Sequence, residues 1–198
     1  VNNQPLAQDD TVTTNEETAV TFDVLANDSD IDGDELSVTS ASATNGTVDI
    51  NADGTLTYTP SAEFNGTDVI SYEVSDGNGG TSTASVTVTV NAENDEPVSN
   101  NDAVSVNADS SVIIDVLEND TDADGDTLSV TSATAANGTV VINVDGTLTY
   151  TPNANFYGSD SISYEVSDGN GGTSAAIVDV SVNSQPLAVS DTVNTDED

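Results

Sequence analysis

The sequence predicts an all-β fold of two tandem seven-stranded Greek-key sandwiches. Three observations carry this expectation. The chain repeats itself, its apolar residues alternate with period two, and its alternating runs end in Gly-, Asn- and Asp-rich turns. The repeat comes first in the argument. Asp10 to Asn91 aligns with Asp102 to Asn183 without a gap, and most aligned positions are identical. DVLANDSDIDGD at 23–34 matches DVLENDTDADGD at 115–126, and ISYEVSDGNGGTS at 70–82 recurs at 162–174. PLAVSDTVNTDED at 186–198 echoes PLAQDDTVTTNEE at 5–17. The expected division is a first repeat at 1–93, a second at 94–185 and the truncated start of a third at 186–198. The chain reads as an internal piece of a longer array.

Each strand has its own signal. DTVTT at 10–14 opens the repeat as a β-branched run. TAVTFDV at 18–24, ELSVTSA at 35–41, GTVDIN at 46–51, GTLTYT at 54–59, DVISYEVS at 68–75 and TSTASVTVTV at 81–90 follow. Turn dipeptides separate them: Asn45-Gly46, Asp53-Gly54, Asn65-Gly66 and the run at 76–80. Seven short strands with such spacing read as an immunoglobulin-like sandwich. The inward positions include Phe22, Val24, Ile50, Leu56, Tyr58, Ile70, Tyr72, Val74, Val86 and Val88. Tyr150 and Tyr164 fall inward in the second repeat. No helical period appears.

Composition narrows the function. The 198 residues hold 36 acidic side chains and no Lys, Arg or His, for a formal net charge of −36. Such a chain has no side chain to neutralise a phosphate, so nucleic acid is excluded as a partner. Anionic membrane surfaces attract Lys and Arg, which are absent, and no apolar run approaches bilayer length. A base for a nucleophilic triad is missing as well. There is no Cys, so neither disulfides nor thiolate zinc sites are available. Charge repulsion opposes compaction, and a divalent cation is the remaining neutraliser.

The loop Asn27-Asp28-Ser29-Asp30-Ile31-Asp32-Gly33-Asp34 carries the metal chemistry, with its copy at Asn119–Asp126. Carboxylates at alternate positions followed by Gly reproduce the first half of an EF-hand-type calcium loop. Thr39 and Thr131 stand where that loop has its bidentate Glu, and strands flank it. The remaining ligands must therefore come from elsewhere. The expected ligands are Asp28, Asp30, Asp32 and Asp34, with Asp120, Asp122, Asp124 and Asp126 in the second repeat. Strand counting puts Asp76, Asp168 and Asp53 at the same pole. The opposite pole carries Glu16, Glu17 and Glu63. Asn94 and Asp95 lie in the linker between repeats, where a bridging ion would lock one repeat to the next.

VLANDSDIDGDELSVTS, NGTV, DGTLTYTP, FNG and SYEVSDGNGGTS together resemble the bacterial cadherin-like tandem repeats of giant repeats-in-toxin adhesins and biofilm proteins. The resemblance covers nearly the whole chain. It implies calcium-rigidified extender modules at the bacterial cell surface, exported by a type I system, with neighbouring repeats of the same chain as partners. The segment 91–97 is similar to the cadherin inter-domain linker. Val1–Pro5 and Asn183–Pro186 lack its acids. Such a fragment is expected to be monomeric and non-enzymatic. A carbohydrate- or homophilic-binding module is the alternative, and an enzyme accessory domain a third reading.

Overall fold

The computed structural model describes residues 1–184. The expected third repeat, 186–198, lies outside the described residues. The chain divides into two compact units, the first Val1–Glu93 and the second from Asn94 onward. The first holds β1 (Asp10–Asn15), β2 (Val20–Phe22), β3 (Ser37–Ser42), β4 (Gly46–Ile50), β5 (Leu56–Pro60), β6 (Gly66–Ser75) and β7 (Thr81–Asn91). The second holds β8 (Asp102–Asn107), β9 (Val112–Ile114), β10 (Ser129–Ala135), β11 (Gly138–Ile142), β12 (Leu148–Pro152), β13 (Gly158–Ser167) and β14 (Thr173–Asn183). All are strands.

In each unit a four-stranded sheet faces a three-stranded one. The orders are β1-β7-β6-β3 and β2-β5-β4, repeated as β8-β14-β13-β10 and β9-β12-β11. Directions alternate along the chain, so the first and seventh strands run the same way. Their pairing is consequently parallel, Asp10 to Asn15 against Val86 to Asn91. The other pairs are antiparallel. The second strand is shorter than its sequence signal. Asp23 Oδ1 accepts the Leu25 N–H at 2.9 Å and turns the chain after Phe22. Thr39 lies at the register shift between β3 and β6, and its hydroxyl donates to Glu73 Oε1 at 2.8 Å.

The core of the first unit is Val24, Leu56, Tyr58, Ile70, Tyr72, Val74, Val86, Val88 and Val90, all buried. Ile50, expected inside, is 42% exposed. It ends the edge strand β4, which has a neighbour on one side only. Val90 is the converse, buried one step beyond the expected core set.

A buried tyrosine needs a partner for its hydroxyl, and each finds a carboxylate. Tyr58 donates to Asp68 Oδ2 at 3.0 Å, and Tyr150 to Asp160 Oδ2 at 2.7 Å. Tyr72 lies within hydrogen-bond reach of Asp10 Oδ2 (3.0 Å), the Gln8 carbonyl (2.8 Å) and the Val24 carbonyl (3.5 Å). Tyr164 repeats this with Asp102, Asn100 and Val116. The second pair of tyrosines thereby ties the core to the segment that enters the Asp-rich loop.

Candidate metal centre

The loop between β2 and β3 is shaped by its own aspartates. Asp30 Oδ1 accepts the Asp32 N–H at 2.8 Å, which bends the backbone tightly. Gly33 and Gly125 follow with φ of 77° and 78°, a conformation that a side chain would strain. The segment ahead of β1 is pinned across the loop: the Leu6 N–H donates to the Ser29 carbonyl at 2.8 Å, and the Ser29 N–H returns to the Leu6 carbonyl at 3.1 Å. Val98 and Thr121 do the same in the second unit.

This geometry gathers three carboxylates per unit. One oxygen from each of Asp30, Asp32 and Asp34 lies within 4.8 Å of the others, and Asp122, Asp124 and Asp126 match them. Two oxygens bound to one calcium at about 2.4 Å are at most about 4.8 Å apart, so the triplet is compatible with a shared ion. Without a counter-charge the arrangement is costly. Two unit charges 4 Å apart repel by about 1 kcal/mol in water and about 4 kcal/mol near a protein surface.

The donors also pass a sharper test. Asp30 Oδ2 and Asp122 Oδ2 are sealed from solvent and accept no hydrogen bond, and so are Asp28 Oδ2 and Asp120 Oδ2. A buried anionic oxygen without a partner is unfavourable unless a cation completes it. Oxygen-only donors suit a hard ion such as calcium, and Asp30, Asp32 and Asp34 would hold it in the first unit.

The remaining expected ligands fall into different places. Asp28 is outside the triplet, its Oδ1 accepting the Gln8 N–H at 2.8 Å, and Asp120 likewise takes the Asn100 N–H at 2.7 Å. Burial pushes both carboxyls above the usual range. Asp76 and Asp168, each almost wholly buried, staple the β6–β7 and β13–β14 turns. Asp76 Oδ1 accepts the N–H groups of Asn78 (2.8 Å) and Gly80 (2.9 Å). A Cβ at Gly80 or Gly172 would collide with that carboxylate. Burial works to raise the Asp76 acid group, but its hydrogen bonds outweigh it and hold it low. The Asn94 amide leads in lowering Asp168. Asp76 and Asp34 line one groove, and Asn170 Nδ2 donates to Asp126 Oδ2 at 2.6 Å, so these turns border the triplets. Asp53 caps its own hairpin through Thr55.

The linker residues Asn94 and Asp95 sit on the loop pole of the second unit. Asn94 Nδ2 donates to Asp168 Oδ2 at 2.7 Å, and the Asp95 N–H donates to Asp124 Oδ2 at 2.8 Å. Asn2 and Asn3 repeat this on Asp76 and Asp32 in the first unit, both at 2.7 Å. Val1–Pro5 lacks the acids of the linker, yet its Asn2 and Asn3 take the places of Asn94 and Asp95. The constant spacing from Asn to Pro5 and Pro97 was the signal that could have found them.

Glu16 lies at the other end of the first unit. Its carboxylate accepts the Glu93 N–H at 2.6 Å and the Asn65 amide at 3.4 Å, and it is only 4% exposed. Glu17 is exposed and takes the left-handed turn conformation, φ 55°, after β1.

No curated protein is similar in sequence to this chain. Among solved structures, human CDH23 EC21-23 matches with a TM-score of 0.52 at 16% identity, over 92% of this chain and 69% of its own. The human desmocollin-1 ectodomain gives 0.43 at 12% identity, over 93% and 41%. An endo-fucoidan hydrolase of glycoside hydrolase family 107 gives 0.38 at 19% identity, over 92% of this chain and 29% of the hydrolase. The chain thus spans less than a third of that enzyme. The CDH23 likeness, at 16% identity, speaks for the sandwich fold alone. The family of bacterial Ig domains matches residues 2–89 and 94–181, the two repeats in turn, and the chain belongs to that family as two tandem copies.

Proposed function

We propose that the two repeats are calcium-stabilised extender modules of a secreted bacterial adhesin, projecting a binding tip from the cell surface. One observation carries the reading. Both loops bury carboxylate oxygens that have no partner, in a chain with no cationic side chain at all. A location outside the cell belongs to this reading, since extracellular calcium modules bind at about 10⁻⁴–10⁻³ M, where the ion is abundant. Export by a type I system and a place in a repeats-in-toxin adhesin belong to the same reading and rest on the resemblance of the repeats.

Calcium binding is coupled to folding in such a site, because the unfolded chain has no preformed cage. The test is thermal melting of this chain with calcium and with excess chelator. A large fall on chelation is expected, and equal melting temperatures would sink the proposal. Magnesium should substitute poorly, since it demands a tighter octahedron and gives up water reluctantly. An extender also has to be stiff. Small-angle scattering with and without calcium reads that separately, with a less flexible particle expected in calcium.

A carbohydrate- or homophilic-binding module has one feature in its favour. Tyr157 is 69% exposed, an aromatic surface of the kind a sugar ring uses. A glycan panel tested against Tyr157→Ala separates this reading from the first.

A further inference from the structure

We propose that each repeat holds a second divalent cation, at Asp10 and Asp28 in the first and at Asp102 and Asp120 in the second, apart from the ion of the Asp30 and Asp122 triplets. This rests on the calcium reading above and adds new ligands to it. Asp28 is not one of the carboxylates that meet at the triplet. Its Oδ1 is committed to the Gln8 N–H, while its Oδ2 is sealed from solvent with no partner. The second repeat reproduces this, with Asp120 Oδ1 on the Asn100 N–H and Asp120 Oδ2 sealed and alone. The same orphaned oxygen thus arises twice. A buried carboxylate oxygen of this kind calls for a positive partner.

The groups around it favour a cation. Tyr72 joins Asp10 to Gln8, the residue that holds Asp28, through contacts of 3.0 Å and 2.8 Å. Tyr164 joins Asp102 to Asn100 in the same way, at 3.1 Å and 2.9 Å. The tyrosine hydroxyl thereby fixes Asp10 beside the segment that orients Asp28. No residue of the chain other than its N-terminal amine could supply a compensating positive charge. A hard divalent ion completes such a set, with carboxylate and carbonyl oxygens as its ordinary donors.

Calcium titration calorimetry on the whole chain tests the proposal, with terbium luminescence as a second readout. The chain has no Trp, so sensitised terbium emission must come from tyrosine. Asp10→Asn with Asp102→Asn should remove one ion per repeat and lower tyrosine-sensitised emission. Asp32→Asn with Asp124→Asn should remove the triplet ion and leave the second. Tyr72→Phe with Tyr164→Phe keeps every carboxylate, so it should retain stoichiometry while emission drops. Unchanged stoichiometry and emission in the Asp10→Asn, Asp102→Asn chain, with the fold intact by circular dichroism, would overturn the second site alone. A chain that binds no calcium in any form would overturn the calcium reading itself.

Discussion

At the loop end of the first repeat Asp30, Asp32 and Asp34 gather as Asp122, Asp124 and Asp126 do in the second, with the same free oxygens and the same glycine conformation. At the opposite end the repeats part company. Glu16 aligns with Ala108, and Asn65 aligns with the exposed Tyr157. The backbone does not register the change. The Glu16 N–H donates to the Asn91 carbonyl at 2.9 Å, and the Ala108 N–H to the Asn183 carbonyl at 2.8 Å. The turn therefore forms with or without a carboxylate. The loop end carries the same acids in both repeats, whereas the far end tolerates exchange because its turn rests on main-chain bonds.

The comparison is broken most decisively by removing calcium. If the loop ends are equivalent, both repeats should lose stability together. A site saturated a hundredfold above its Kd contributes about 2.7 kcal/mol. For domains of this size each kcal/mol moves the melting point by roughly 4–8 °C, so chelation should lower it by about 10–20 °C. Differential scanning calorimetry in chelator checks this. One repeat melting unchanged while the other falls would refute equivalence.

Single-loop variants come next in size. Asp34→Ala should abolish the calcium response of the first repeat only, and Asp126→Ala that of the second only. In chelator the sign reverses. Each variant should then melt slightly higher than the parent, because a repelling charge has gone. A variant less stable than the parent in both conditions would mean that the carboxylate serves the loop's own fold instead.

Much of this was legible in the sequence because both signals are periodic. The alternation in Leu56 to Pro60 and in Gly66 to Ser75 became buried-exposed alternation in β5 and β6. The DxDxDGD spacing located the loop. What it could not resolve is which carboxylates meet. Spacing pointed to Asp28, Asp30, Asp32 and Asp34 alike; the structure brings Asp30, Asp32 and Asp34 together, while Asp28 accepts the Gln8 N–H. That hydrogen bond joins segments 20 residues apart, and no local pattern encodes it. Asp68 and Asp160 were illegible for the same reason. Their partners, Tyr58 and Tyr150, lie on the facing sheet and look like ordinary core residues.

Those two carboxylates give the third prediction, a feature that both repeats should share. Burial works to raise the acid group of Asp68, but the N–H groups of Asn45 (2.9 Å) and Val69 (2.8 Å) and the Tyr58 hydroxyl outweigh it and hold it low. Asp160 is lowered likewise, with the Tyr150 hydroxyl foremost among the bonds that overcome burial. A depressed acid contributes stability that is present above its unfolded pKa, about 3.9. That contribution is lost as pH falls through the folded value. Protonation of these two carboxylates below about pH 4 should thus remove their share of the stability of both repeats, even in chelator. Asp68→Asn should flatten that limb in the first repeat and cost about 1–3 kcal/mol at neutral pH. Denaturant melts across pH measure both, and an unaltered acid limb would remove Asp68 from the account.

The smallest effect is expected at Glu16, where the comparison itself supplies the control. Its carboxylate is buried and accepts the Glu93 N–H and the Asn65 amide, contacts that ordinarily signal a structural role. Yet Ala108 occupies the equivalent turn with the same main-chain bond. Glu16→Ala should therefore cost only about 1 kcal/mol, the worth of an ordinary hydrogen bond, since water can reach the exposed Glu93 backbone and Asn65 amide. The reverse change, Ala108→Glu, should cost more. It buries a charge where Tyr157 stands in place of Asn65 and offers no amide to receive it. Urea melts of the two variants decide the matter. If Glu16→Ala is the more damaging, the turn of the first repeat depends on its carboxylate, and the two far ends differ in how they fold as well as in what they display.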